Sequence, residues 1–229
     1  MRILFIDTVH EHLASHLTRM DFECVDGTKW TRAEILSAAD SFDGAVIRSR
    51  IKLDKEFLDA AKNLRFIARA GAGMENIDVD YAKMLGIECF NAPEGNRDAV
   101  AEHAIGMLLS LFNHINTSDI EVRKGLWLRE ENRGVELLGR TVGIIGYGNT
   151  GQALAKRLAG FGVLTYAYDK HKKGFADSLV IETNMESIYQ EAEVISLHVP
   201  LTEETSHMIN DEFFSKLNYP IFLINTSRG

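Results

Sequence analysis

A glycine-rich turn between a predicted strand and a predicted helix constrains the fold of this chain more than any other feature. Residues 146–151 have the sequence Gly-Tyr-Gly-Asn-Thr-Gly, which is a Gly-x-Gly-x-x-Gly pattern. The apolar, β-branched run 141–145 precedes it, and apolar residues at helical spacing follow it over 152–161. Asp169 ends the next strand-like run. This order of elements predicts a Rossmann unit, a doubly wound parallel sheet that binds a dinucleotide.

The three glycines of this turn have different physical tasks. Gly146 permits a tight turn out of the strand, Gly148 leaves room for a pyrophosphate, and Gly151 lets the helix pack closely on the strand. The helix N-terminus presents free N–H groups and a partial positive charge to the phosphates. A glycine-rich turn without a ligand is the alternative interpretation. The predicted phosphate-binding set comprises Gly146, Tyr147, Gly148, Asn149, Thr150 and Gly151.

Asp169 is the predicted ligand of the adenosine ribose. A carboxylate at this position accepts hydrogen bonds from the ribose hydroxyls and repels a 2′-phosphate, so the sequence favours NAD over NADP. Lys170, Lys172 and Lys173 follow closely, and they keep NADP open as the alternative.

Length and composition bound the class of protein. The 229 residues can hold one large domain or two smaller ones, and the net charge of -8 argues against nucleic-acid binding. No apolar run approaches the roughly 18 residues of a membrane span. Cys24 and Cys89 lie in apolar strand-like runs, which indicates buried thiols in a reducing, cytoplasmic compartment. We expect no metal site, because the neighbouring His10, His12 and His16 fit a polar helix face.

Strand-like and helix-like segments alternate along the chain, which predicts an α/β fold with parallel sheets. Pro93 and Gly95 break regular structure, so we place a domain boundary there, with domains over 1–97 and 98–229. The first is expected to be flavodoxin-like, with strands at 2–7, 22–25, 43–48, 64–69 and 87–91 and helices at 10–20, 31–38, 54–61 and 79–85. The second begins with one long helix over about 98–116 and adds strands at 178–181, 194–198 and 221–225 after the glycine-rich turn.

Five separated blocks, in order and at family-like spacing, resemble the D-isomer-specific 2-hydroxyacid dehydrogenases. Arg69-Ala-Gly-Ala-Gly-Met-Glu-Asn-Ile-Asp resembles the family's R-x-G-x-G-x-D-N-I-D signature. The remaining blocks, which together with the first cover nearly the whole chain, are 91–103, 125–149, 198–202 and 225–229. The resemblance implies hydride transfer between NAD(H) and a 2-hydroxy or 2-oxo acid. It also makes 1–97 the substrate-binding domain and 98–229 the NAD-binding domain.

The resemblance assigns roles to particular residues. Backbone N–H groups around Ala72 and Gly73 would bind the substrate carboxylate, and Arg228 would bind the 2-oxo acid and polarise its carbonyl. His198, Val199 and Pro200 would line the cofactor. Thr226 and Ser227 would approach it by backbone or hydroxyl contacts.

A segment with two arginines, Arg48-Ser49-Arg50, looks most like the phosphoglycerate dehydrogenase branch of the family. Two guanidinium groups and a hydroxyl at a strand end could hold a phosphate, so 3-phosphoglycerate or phosphohydroxypyruvate, compounds of serine biosynthesis, is the favoured substrate. A solvated edge with two ordinary arginines is the alternative. Glyoxylate, hydroxypyruvate and D-lactate remain open as other substrates of the family.

The last matching block ends at Gly229, whereas the family's glutamate and histidine proton-transfer pair lies C-terminal to that block. We therefore expect residues 1–229 to be part of a longer enzyme, with the nucleotide sheet incomplete. The alternative function is an NAD-responsive binding protein without turnover, as in corepressors related to this family. A homodimer through the NAD-binding domain, at the long helix and the segment around Trp127, is implied by the resemblance alone.

Overall fold

The structure, a computed structural model, describes residues 1–228. It divides into two units, Met1–Asn96 and Arg97–Gly229. Each unit contains one five-stranded, all-parallel sheet.

The strands of the first unit, numbered along the chain, lie in the order 2-1-3-4-5, which is the flavodoxin-like order. Apolar side chains of the central strands are fully buried, such as Ile3, Ile47 and Ile67. Three of its α-helices begin at a short polar side chain that accepts a backbone N–H group, as Thr31 does in a reciprocal capping box with Glu34. The strands are β1 (Arg2–Phe5), β2 (Glu23–Asp26), β3 (Gly44–Ile47), β4 (Phe66–Arg69) and β5 (Glu88–Asn91), and the helices are α1 (Glu11–Arg19), α2 (Arg32–Ala38), α3 (Lys55–Ala60) and α4 (Val79–Met84).

In the second unit, the strand that comes first in the chain lies at the centre of the sheet, with the fourth and fifth on one side and the second and third on the other. Numbered within the unit this is 5-4-1-2-3, the strand order of a Rossmann sheet read from the opposite edge. The predicted α/β class, flavodoxin-like and Rossmann, is therefore confirmed. Its strands are β6 (Thr141–Ile145), β7 (Leu164–Tyr168), β8 (Ile181–Glu182), β9 (Val194–Leu197) and β10 (Phe222–Asn225), and its helices are α5 (Arg97–Phe112), α6 (Ile115–Arg123), α7 (Asn149–Leu158), α8 (Met185–Glu191) and α9 (Asp211–Ser215).

The single long helix predicted over 98–116 is wrong, because the structure has two helices there. His114 adopts a left-handed conformation with φ of 49°, and it separates α5 from α6. The carbonyl of Phe112 accepts the backbone N–H of Val135, so this carbonyl is bonded outside the helix. Apolar spacing continues across the break, which is why periodicity alone does not detect it.

Smaller differences affect the edges of the second unit. The strand predicted at 178–181 is the two-residue β8, and helices α8 and α9 were not predicted.

Within residues 1–228, no helix has both the length and the apolar character needed to cross a membrane.

Candidate functional site

The glycine-rich turn follows β6 at the carboxyl edge of the second sheet. Gly146 has φ of 95°, and a Cβ there would lie 2.5 Å from the carbonyl oxygen of His198. A Cβ on Gly151 would overlap with the carbonyl oxygen of Gly146. In contrast, a Cβ on Gly148 would meet nothing within 4 Å. Packing therefore requires the first and third glycines, while the second leaves the backbone open to a ligand.

Helix α7 begins at this open point. Gly148 is its N-cap, and no side chain within residues 1–228 caps it by a hydrogen bond. The first-turn N–H groups of Asn149 and Thr150 therefore point to the open space with the positive end of the helix dipole. The Tyr147 side chain is buried and stacks on Phe175 with ring centroids 4.7 Å apart, so only its backbone faces this space.

Asp169 lies directly after β7, beside the turn. Its Oδ2 accepts the N–H of Tyr147 at 2.8 Å, and its Oδ1 accepts the N–H groups of His171 at 2.9 Å and Lys172 at 3.0 Å. Burial works to raise the pKa of Asp169, but these three bonds and the charge of Lys172 outweigh it and leave the pKa below its ordinary value. The carboxylate is thus ionised and retains acceptor capacity for a further donor.

The three lysines after Asp169 have different partners. Lys172 Nζ donates to the carbonyl oxygen of Tyr147 at 3.0 Å, so it reaches the glycine-rich turn. Lys170 pairs with Glu204, and the ammonium of Lys173 lies 5.8 Å from the ring centroid of Tyr168. Of the three, Lys172 is the cation closest in structure to the predicted ribose and phosphate site.

His198 follows β9, the strand adjacent to β6. Its backbone N–H donates to the carbonyl of Ile145 at 2.8 Å, and its ring Nε2 lies 2.9 Å from the Oγ of Ser196. Burial lowers the pKa of His198 to about 4, so the imidazole is neutral at pH 7. Of the next two predicted cofactor residues, Val199 is half-buried against the turn, with its Cγ1 3.0 Å from where a Gly146 Cβ would be, and Pro200 is exposed.

The segment after β10 carries the remaining predicted residues of the second unit. The Ser227 hydroxyl donates to the carbonyl of Leu197 at 3.0 Å, which fixes this segment beside the end of β9. The Oγ1 of Thr226 is buried and has no hydrogen-bond partner within residues 1–228. Arg228 comes next and is exposed.

The ends of β3 and β4 in the first unit carry the predicted substrate residues. The backbone N–H groups of Arg48, Ser49 and Arg50 all donate to Oδ2 of Asp7, at 2.6, 2.9 and 3.2 Å. The side chains of Arg48 and Ser49 make no hydrogen bond within residues 1–228 and are exposed. They remain available to an anion.

Arg50 has a different arrangement from the one expected. Its guanidinium donates to the main-chain carbonyls of Ile6 (2.9 and 2.6 Å), Trp30 (2.7 Å) and Gly27 (3.0 Å). Four of its five N–H donors are therefore used to join three loops of the first unit. This geometry indicates a structural role for Arg50, so within this segment the side chains of Arg48 and Ser49 are the ones available to an anion.

The predicted carboxylate-binding loop follows β4. Gly71 has φ of 155°, and a Cβ there would overlap with the guanidinium of Arg69. The amide of Asn91 donates to the carbonyl of Ala72 at 2.6 Å. A Cβ on Gly73 would overlap with the carboxylate of Glu75, so an acidic side chain lies against the N–H groups of Ala72 and Gly73 that the sequence predicts to bind a substrate carboxylate.

The residues of the second unit fit a dinucleotide. The open backbone of Gly148 at a helix N-terminus suits the pyrophosphate, and the ionised carboxylate of Asp169 suits the ribose. The buried hydroxyl of Thr226 has no partner in the described residues, and a bound ligand could supply one. Ser196 was missed at the sequence level, although Ser196 and His198 are spaced to share one face of a strand. Within residues 1–228, no group of three or more histidine, cysteine or acidic side chains could hold a metal.

This sheet order, turn and acidic residue define a dinucleotide-binding Rossmann protein. Residues 105–229 match the NAD binding domain of the D-isomer specific 2-hydroxyacid dehydrogenases. The chain therefore belongs to the D-isomer specific 2-hydroxyacid dehydrogenase family, as the resemblance of its sequence blocks predicted, and its second unit carries the family's NAD-binding domain.

Curated relatives and solved structures agree with this placement. The chain is 41% identical over 196 residues to a hydroxypyruvate reductase of Thermotoga maritima, covering 86% of this chain and 64% of the relative. It is 34% identical over 231 residues to a D-3-phosphoglycerate dehydrogenase of Archaeoglobus fulgidus, covering 100% of this chain and 44% of the relative. The crystal structure of the TT0316 protein of Thermus thermophilus superimposes with a TM-score of 0.86 at 29% identity, covering 100% of this chain and 74% of that one. The chain thus spans about two thirds of the first relative and less than half of the second.

Proposed function

We propose that this protein is an NAD-dependent oxidoreductase that interconverts a 2-hydroxy acid and a 2-oxo acid. The observation that carries the proposal is the pairing of an open Gly148 backbone with the ionised Asp169 carboxylate at one edge of the Rossmann sheet. NAD(H), when bound, supplies or accepts the hydride. The protein's own residues bind the two molecules, orient them and stabilise charge on the substrate oxygen.

The cofactor is held by the residues at the carboxyl edge of the second sheet. The turn 146–151 binds the pyrophosphate through backbone N–H groups, and Asp169 accepts the ribose hydroxyls. The segment 198–200 lines the cofactor, and the free Oγ1 of Thr226 and the backbone of Ser227 contact it. Because Asp169 is ionised, NAD is the preferred cofactor.

Residues of each unit have substrate roles that the family resemblance implies. The N–H groups of Ala72 and Gly73 bind its carboxylate, and Arg228 stabilises the negative charge that develops on the 2-oxygen as hydride arrives. Arg48 and Ser49 bind a phosphate on the far end of the substrate, which makes 3-phosphoglycerate and phosphohydroxypyruvate the favoured pair. This assignment is supported by the freedom of both side chains, and by relatives named D-3-phosphoglycerate dehydrogenase.

A substrate without the phosphate, hydroxypyruvate, is the second candidate. One observation favours it: the relative with 41% identity is named hydroxypyruvate reductase. The two substrates differ only in the group that Arg48 and Ser49 would contact, so these two residues discriminate between them.

Domain roles, assembly and compartment complete the proposal. Residues 1–97 bind the substrate and residues 98–229 bind NAD.

The protein forms a homodimer through α5, α6 and the segment around Trp127, because this region exposes large apolar side chains, among them Leu111, Ile115, Ile120 and Trp127. It works in the cytoplasm, in keeping with two free cysteines.

The test is oxidation of NADH by the protein with phosphohydroxypyruvate, hydroxypyruvate, glyoxylate or pyruvate as the second substrate. We expect turnover with phosphohydroxypyruvate, and a loss of about 100-fold or more in kcat for Arg228→Ala, since a cation at a developing oxyanion supplies that much. An exposed arginine on α1, Arg19, is the matched control, and Arg19→Ala should retain full turnover. NADH binding without turnover on any 2-oxo acid would instead identify an NAD-responsive binding protein.

A further inference from the structure

We propose that Ser196 is a positioning residue that fixes His198 as the tautomer protonated at Nδ1, and that this N–H is a hydrogen-bond donor to the bound dinucleotide. The proposal deepens the proposed function and rests on it. It assigns to Ser196, a residue inside the sheet, a role in cofactor binding that acts through His198.

The two residues are connected by a partly buried hydrogen bond. Ser196 is the third residue of β9 and His198 comes directly after that strand, so their side chains share one face of the sheet. The Oγ of Ser196 lies 2.9 Å from Nε2 of His198, and Ser196 is 2% exposed.

The surroundings of Ser196 decide which atom donates. A small apolar space beside Ser196 is lined by aliphatic side chains, including Ala104, Leu108, Leu154 and Ile224. The Ser196 hydroxyl has no partner other than His198 within residues 1–228. If Nε2 carried the proton, the hydroxyl hydrogen would remain buried without an acceptor, which is costly. The hydroxyl therefore donates to Nε2.

The ring then carries its proton on Nδ1. Burial keeps the imidazole neutral at pH 7, so only one nitrogen is protonated. Nδ1 makes no hydrogen bond within residues 1–228. Two side-chain atoms in the described residues are both fully buried and without a partner, Arg69 Nε and Thr226 Oγ1. Because Nδ1 of His198 also has no partner but is not one of these two, it is not fully buried and is accessible to solvent. Ser196 thus presents a fixed N–H donor at the surface.

The position of His198 identifies the acceptor. Its carbonyl oxygen packs against Gly146 of the phosphate-binding turn. Leu197, the residue before it, pairs in register with Asn225 of β10, directly before Thr226. The donor therefore emerges between the turn and the unpartnered Thr226 hydroxyl, where the proposed function places the cofactor. A dinucleotide offers many oxygen acceptors and suits a neutral N–H donor.

The test uses ¹⁵N-histidine-labelled protein and nuclear magnetic resonance, which distinguishes Nδ1–H from Nε2–H imidazoles. The wild type, Ser196→Ala and Ser196→Thr are compared, and His198→Gln assigns the His198 signals. Thr165→Ala is the matched control, because Thr165 is a buried hydroxyl on β7, two strands away from β9. NADH is the titrated ligand.

We expect the wild type to show Nδ1–H for His198 and its Nδ1 resonance to shift on saturation with NADH. Ser196→Ala should mix the tautomers and raise the Kd for NADH by about fivefold, the value of one neutral hydrogen bond. Ser196→Thr should restore both readouts, and Thr165→Ala should change neither. An Nε2–H tautomer in the wild type, or an Nδ1 resonance that NADH does not move, would overturn the inference while leaving NADH binding intact. Failure of the wild type to bind NADH would overturn the proposed function together with the donor role.

Discussion

The carboxylate of Asp169 accepts the backbone N–H of Tyr147 at 2.8 Å, so the residue proposed to bind the ribose also holds the glycine-rich turn. Lys172 donates to the carbonyl of the same Tyr147 at 3.0 Å. The loop after β7 thereby bonds both the backbone N–H and the backbone carbonyl of Tyr147 in the glycine-rich turn. We therefore expect cofactor preference and turn geometry to be coupled in this protein.

Replacing Asp169 tests this coupling. In Asp169→Ala the ribose loses its acceptor and the turn loses its support, so the Kd for NADH should rise about tenfold or more. The loss for NADPH should be smaller, because removal of the carboxylate also removes its repulsion of the 2′-phosphate. Fluorescence titration with both cofactors measures the two changes. Asp40→Asn, an exposed carboxylate of the first unit, is the control, and an unchanged NADH/NADPH preference in Asp169→Ala would contradict the assignment.

The second and third glycines of the turn offer a matched pair. Gly151→Ala places a methyl group onto the carbonyl of Gly146 and should destabilise the fold by about 1–3 kcal/mol, as overpacking does. Gly148→Ala meets nothing within 4 Å, and its φ of -80° suits alanine. It should leave the free energy of unfolding within about 0.5 kcal/mol and weaken NADH binding. Denaturant unfolding and NADH titration separate the effects, and tight NADH binding by Gly148→Ala would count against the pyrophosphate site.

The two arginines after β3 should respond in opposite ways. Arg50→Ala removes the bonds to the carbonyls of Ile6, Gly27 and Trp30, and should lower the free energy of unfolding by about 2–3 kcal/mol. Arg48→Ala should change stability little and raise KM for phosphohydroxypyruvate about tenfold or more, because a phosphate loses its cation. Its KM for hydroxypyruvate should not change. Equal effects of Arg48→Ala on both substrates would argue that Arg48 contacts no phosphate.

His198 should make stability depend on pH. Its pKa is about 4 in the folded protein and about 6.5 when unfolded, so the unfolded state binds more protons between these values. The free energy of unfolding should therefore fall as the pH drops from about 6.5 to about 4, by about 3 kcal/mol in total. Urea unfolding of the wild type and of His198→Gln over this pH range isolates the contribution of His198. The carboxylates also titrate there, but they are present in both proteins and cancel in the difference. Parallel pH profiles for the two proteins would show that His198 is not held neutral by burial.

The parts of the fold that follow from local pattern could be predicted from the sequence. Except for β8, the strands of both sheets and the glycine-rich turn lie where apolar runs and glycine spacing predict them, because each depends on neighbouring residues. The break at His114 could not be found in this way, since it depends on Val135 bonding to the carbonyl of Phe112.

In the candidate site too, features that depend on neighbouring residues were predictable from the sequence, and features that depend on distant residues were not. Asp169 and the turn were predictable because their spacing is a local signature. The structural role of Arg50 was not, because its partners Ile6, Gly27 and Trp30 are distant in sequence. The Ser196 bond to His198 left a signal in the sequence, a polar pair two residues apart, but only the burial of Ser196 shows that its hydroxyl depends on His198 for a partner.

Titration of the wild type and Gly148→Val with NADH, followed by cofactor fluorescence, shows whether the glycine-rich turn binds a dinucleotide. We expect saturable binding at one site per chain in the wild type. Gly148→Val should be equally folded and should lose binding, because a branched side chain fills the space that is open at Gly148. Folded wild-type protein that does not bind NADH, or binding that Gly148→Val leaves unchanged, would contradict this expectation.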